Sequence, residues 1–129
     1  MEVKGIRWVG VHTEAAGRMQ AFATDVLGLR TASQVGEDFV EMVLSDGTKF
    51  ELFGRAADRP WLFDASPVVV GFLVEDIRAA REELEGIPGV ELLGELRVMP
   101  DGYGWQHFRA PDGHVYELVA DPSAGGSHR

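Results

Sequence analysis

The 129-residue chain contains no cysteine. That excludes disulfide frameworks, thiolate metal sites and cysteine nucleophiles, and it agrees with a reducing cytoplasm. No apolar run approaches the roughly 18 residues that span a bilayer. Membrane association is therefore not expected, and Met1-Glu2-Val3-Lys4 is not expected to open a signal peptide. Basic residues are scarce, 12 against 21 acidic ones, for a net charge of −9. Such a surface repels phosphate backbones, so nucleic acid is not an expected partner. A cationic small molecule would be drawn in; the plainer account is that surface acids keep the protein in solution. The rest is ordinary globular composition, 45% hydrophobic and 26% charged, long enough for one domain whose core needs no covalent staple.

Ile6, Trp8, Val9 and Val11 mark a strand over 6–12. Residues 15–26 put Met19, Phe22, Ala23 and Val26 on one helical face, with Gly28 as the stop. Residues 33–43 hold a strand or two, 44–48 a turn, and 49–53 a further strand. The segment 54–67, with two prolines and the apolar trio Trp61-Leu62-Phe63, reads as a connection whose apolar residues cover the core. The pattern then recurs. A strand over 68–74 precedes Asp76, the N-cap of a helix to about residue 85, in which Ile77, Ala80, Arg81 and Leu84 form one side. Extended segments follow at 90–98, 105–109 and 114–120, with a Gly-rich loop at 100–104 and a frayed tail over 122–129.

The recurrence extends to letters. Trp8-Val9-Gly10-Val11 is answered by Val69-Val70-Gly71-Phe72, and Ser45-Asp46-Gly47 by Pro111-Asp112-Gly113. An internal duplication of strand–helix–three strands predicts an α+β fold of two βαβββ modules. The modules fall at about 5–54 and 67–121, joined by 55–66. Helices are expected on the outer faces of curved mixed sheets, which would enclose a central cavity, the natural ligand site.

Turn chemistry sets the hairpin registers. A type I turn closed by a left-handed glycine at Gly113 puts Ala110 opposite His114 and hence His107 opposite Glu117. The same count around Gly47 puts Glu41 opposite Glu51. Glu51 and Glu117 then lie on the enclosed faces, where a charge needs a partner. His107 is the cross-strand neighbour of Glu117, with Trp105 on the same face.

The helix end Met19–Leu29 and the hairpin Phe108–Leu118 resemble the vicinal-oxygen-chelate superfamily, which includes glyoxalases, bleomycin-resistance proteins and extradiol dioxygenases. The resemblance covers about residues 6–121 and implies one metal ligand from the first and one from the last strand of each half. Glu51 and Glu117 match the last-strand ligands, but the first-strand histidine positions correspond to Trp8 and Val69. Indole is only a donor and valine has no lone pair. Two carboxylates without imidazole suit zinc, nickel or iron poorly, while magnesium or calcium with several waters stays open.

The expectation is therefore metal-independent small-molecule binding in the cytoplasm, similar to the antibiotic-resistance members, with no cofactor. Trp8, Glu51, Trp105, His107 and Glu117 would bind a cationic or aromatic ligand. The alternative is a lyase, isomerase or dioxygenase using Glu51, His107 and Glu117 with or without a divalent metal. A homodimer is expected by the resemblance. His12, four residues past Trp8, belongs near the first helix, and His114 and His128 carry no catalytic assignment. No nucleotide loop or serine nucleophile is recognisable.

Overall fold

The computed structural model describes residues 1–55 and 61–123. Part of the expected connection (56–60) and the end of the expected frayed tail (124–129, with His128) lie outside the described residues. Two compact units are formed, Trp8–Val69 and Met1–Arg7 with Val70–Arg129, the division falling inside two strands. The fold is α+β, two βαβββ modules in sequence. No helix among the described residues is long and apolar enough to cross a membrane.

The first module comprises β1 (Gly5–His12), α1 (Ala16–Asp25), β2 (Arg30–Val35), β3 (Phe39–Val43) and β4 (Lys49–Phe53). Its strands run in the order β2-β3-β4-β1, with β1 parallel to β4 and the other pairs antiparallel. The second comprises β5 (Val68–Leu73), α2 (Ile77–Glu85), β6 (Glu91–Val98), β7 (Gly104–Arg109) and β8 (Val115–Ala120). Its order is β5-β8-β7-β6, with β5 parallel to β8.

Alternation along the strands divides each ladder into two faces. In the first module Val40, Met42 and Leu52 pack with Ala16 and Ala23 of α1. In the second, Phe108, Leu118 and Ala120 pack with Ile77 and Ala80 of α2. The residues between them in sequence, Glu41 and Glu51 or His107 and Glu117, therefore lie on the face away from the helix. Both turns close as expected: Gly47 and Gly113 have φ of 90° and 83°, and their N–H groups donate to the carbonyls of Leu44 and Ala110.

Asp76 caps α2, its carboxylate accepting from the Ala79 N–H at 3.0 Å. The face read for α1 needs correction. Its buried stripe is Ala16 and Ala23 with Met19 alongside, whereas Phe22 and Val26 are 48% and 67% exposed. Ala23 and Phe22 are adjacent and thus about 100° apart around the helix, and it is Ala23 that faces the sheet. Small alanines were chosen there, which brings the helix close to the strands. The first of the two strands expected over 33–43 also begins earlier, at Arg30, because Gly28 in a left-handed conformation ends the helix turn two residues before it.

Candidate functional site

In the second module the candidate groups lie on β7 and β8. Register places His107 opposite Glu117, with Phe108↔Tyr116 and Gln106↔Leu118 on either side. Nε2 of His107 lies 2.8 Å from Oε2 of Glu117, with side chains 12% and 4% exposed. On β5, Gly71 is the neighbour of Glu117. A carboxylate this buried calls for a compensating group nearby, and the imidazole lies within ion-pair distance of it. Trp105 lies two residues before His107, half-buried on the same face, its ring 6.1 Å from that of Tyr103.

Glu51, the corresponding residue of the first module, lies opposite Glu41 as the turn count required. Glu41 is engaged on two sides: Lys49 Nζ approaches to 3.2 Å and the Ser33 hydroxyl donates at 2.9 Å. Trp8 is 4% exposed, its ring edge-on to Phe53 at 6.5 Å. Gly10 makes room for it, since a Cβ there would stand 2.3 Å from the indole. His12 stacks on Phe63 at 5.4 Å, and Phe63 packs on Phe53, while Leu62 is buried. The apolar trio thus carries core-covering residues, as expected of a connection.

Of the expected site residues, then, His107, Glu117 and Trp105 share one sheet face of the second module, and Glu51 and Trp8 belong to the first. Lys49 escaped the sequence reading; its alternation with Glu51 along β4 was the available signal. Gln106 also escaped it. A buried glutamine flanked by Trp105 and His107 leaves no periodic signature, because most of its partners, the Leu93 and Gly94 carbonyls and the Arg81 guanidinium, are distant in sequence.

Asp112, Tyr116 and Asp121 have displaced proton affinities. The Tyr116 hydroxyl donates to Asp112 at 2.6 Å, which holds the Asp112 carboxyl below its usual value, with help from the His114 N–H. The same bond raises the Tyr116 phenol. Burial pushes Asp121 up, but hydrogen bonds from Ser123 and from Arg7 at 2.9 Å outweigh it, and the carboxyl lies below its ordinary value.

Metal chemistry was tested on the donor set. Among the described residues no three His, Asp or Glu side chains are grouped to hold an ion. The resemblance's first-strand positions are a buried indole and a buried valine, neither with a lone pair to offer. These residues do not fit a transition-metal centre.

No family model matches the sequence, and no curated protein matches it. Solved structures do. A glyoxalase/bleomycin resistance protein/dioxygenase superfamily member from Vibrio splendidus 12B01 superposes with TM-score 0.64 at 22% identity, over 90% of this chain and 99% of that one. The Mn(II)-bound glyoxalase from Novosphingobium aromaticivorans gives 0.70 at 22% identity, over 92% of this chain and 39% of that one. Methylmalonyl-CoA epimerase from Mycobacterium tuberculosis gives 0.66 at 17% identity, over 92% and 88%. The chain has the vicinal-oxygen-chelate fold that these structures share.

Proposed function

We propose that the β7–β8 face of the second module is a metal-independent small-molecule site that moves a proton, with His107 as the acid–base group and Glu117 behind it. The observation that carries this is the 2.8 Å approach of His107 Nε2 to Glu117 Oε2 with the carboxylate the more deeply buried of the two. A buried carboxylate orients an imidazole, while the more accessible ring meets the ligand. With Nε2 turned to Glu117, proton exchange with a ligand runs through Nδ1. A carbon acid next to a carbonyl is the matching substrate class, and an isomerase or epimerase the matching reaction. The epimerase and glyoxalase among the similar structures are compatible with it.

A second reading is sequestration of a cationic aromatic ligand. It is supported by Trp105 on the same sheet face as Glu117 and by the net charge of −9. One experiment separates the two. Ketones, 2-oxo acids and thioesters are incubated with the protein in deuterium oxide, with and without EDTA, and exchange is followed by proton NMR. The proton-transfer reading expects exchange indifferent to EDTA and reduced about 10²-fold or more by His107→Gln. Exchange abolished by EDTA, or retained in His107→Gln, overturns it. If no carbon acid exchanges while aromatic ammonium compounds quench tryptophan fluorescence, sequestration is the better account.

A homodimer belongs to this reading, supported by the exposed apolar side chains Phe22, Val26, Leu27 and Val35. A light-scattering mass of one chain across micromolar concentrations would exclude it. The absence of cysteine supports the cytoplasm as its place.

A further inference from the structure

Resting on the proton-transfer reading, we infer that Arg97 makes the His107 face a carboxylate subsite, so that the ligand is a small aryl carboxylate. The pairing of β6 with β7 carries the inference. Leu93 lies opposite His107 and Arg97 opposite Trp105, with the register shifting between them. Four residues on β6 therefore answer two on β7. An even excess preserves which face each side chain takes, whereas an odd one would have turned Arg97 to the helix side. Its neighbours agree: Leu96 packs in the α2 cluster, and a Cβ on Gly104, opposite Val98, would meet Ile77 of α2. Arg97 thus shares the face of Trp105 and His107.

The irregular segment is held from the helix side. Gly94 adopts φ 71°, and the fully buried Gln106 donates to the carbonyls of Leu93 and Gly94 at 3.1 and 3.2 Å. Arg81 of α2 donates in turn to Gln106 at 2.9 Å. Buried polar braces of this kind stabilise one specific backbone course, and the course they stabilise brings Arg97 beside Trp105.

Arg97 is exposed, and its side chain makes no hydrogen bond, ion pair or ring contact among the described residues. Arg109, on the same face at the other end of β7, is already engaged by Glu91 at 3.7 Å and the Gly113 carbonyl at 3.0 Å. One uncommitted guanidinium presents one planar fork, which matches a monocarboxylate; a phosphate dianion calls for more than one positive group. The indole supplies a stacking surface for the planar body of the ligand. Trp105 and His107 are about 6.6 Å apart along the strand, a span that an aryl acid covers, so its far end reaches the imidazole.

Benzoate, benzamide and phenyl phosphate are titrated into nitrogen-15-labelled protein, following the Trp105 indole N–H, identified by its loss in Trp105→Phe. The expected result is benzoate binding roughly tenfold or more tighter than benzamide. Arg97→Gln should bring benzoate to the benzamide level without moving benzamide, and Arg97→Lys should restore part of the difference. Equal affinities in the native protein, or a benzoate preference that survives Arg97→Gln, overturn the subsite and leave the proton-transfer reading standing. Phenyl phosphate binding more tightly than benzoate overturns the assignment to a carboxylate. A preference lost in Arg97→Gln, alongside no deuterium exchange in any carbon acid, supports the subsite and overturns only the proton-transfer reading.

Discussion

Where the first module carries Glu41 opposite its buried-strand glutamate, the second carries His107; where the first carries Lys49, the second carries Val115. The two modules share strand order, turn geometry and helix packing, so the difference is one of chemistry on an unchanged frame. In the first, the acids are accompanied by an ammonium. In the second, the acid is accompanied by an imidazole. Duplication supplied two equivalent positions. One carries two glutamates with a lysine, and the other a glutamate with a histidine, the pair for which we propose proton exchange with a ligand.

The comparison is sharpest if equivalent substitutions have unequal consequences. Glu117→Gln is expected to lower deuterium exchange into a carbon acid by about 10²-fold or more, while Glu41→Gln leaves the rate within about twofold as an order-of-magnitude expectation. Equal losses measured by NMR would erase the functional distinction. The frame should behave in the opposite way. Leu52 and Leu118 are both fully or nearly fully buried under their helices, and either Leu→Ala should cost about 2–5 kcal/mol in urea unfolding. A cost below about 1 kcal/mol at one of them would show that the modules are not equivalently packed.

The second unit has a tie at its sheet end in Arg7–Asp121, with side chains 6% and 11% exposed. Because the Asp121 carboxyl lies below its ordinary value in the folded protein, its stabilisation is complete above the ordinary aspartate range of about 4 and is lost as pH falls through the lower, folded value. Acid unfolding of Asp121→Asn, followed by circular dichroism, should therefore depend less steeply on pH than that of the native protein. An unchanged slope would remove Asp121 from the acid response. At the helix starts, α2 has its Asp76 cap, whereas Ala15 at the start of α1 makes no side-chain cap bond. Asp76→Ala should cost about 1 kcal/mol, and no loss on thermal unfolding would show that the cap is replaced by other donors.

The smallest effect lies in the turns. Both have an Asx arrangement, Thr48 N–H to Asp46 and His114 N–H to Asp112, each at 2.9 Å. Only the second adds a phenol, since Tyr116 stands where the first module has Phe50. The Asp112 hydrogen bond, and secondarily burial, raise the Tyr116 phenol, so Asp112→Asn should bring its ionisation to lower pH in an ultraviolet titration. A titration curve that does not move would sever the bond from the shift.

The repeat, the strand–helix alternation, the Asp76 cap and both hairpin registers were determined by local sequence: turn residues and alternation act over a few residues and need no knowledge of the rest. The pairing of His107 with Glu117 followed from the same short-range geometry. The buried face of α1 was decided by tertiary packing, because Phe22 and Ala23 satisfy nearly the same apolar pattern and only close approach to the strands favours the smaller. The Arg81–Gln106–Leu93 bracing and the shifted β6 register were likewise tertiary decisions. They depend on hydrogen bonds between a helix, a central strand and an edge strand 12 to 25 residues apart in sequence, a range over which neither periodicity nor turn chemistry carries information.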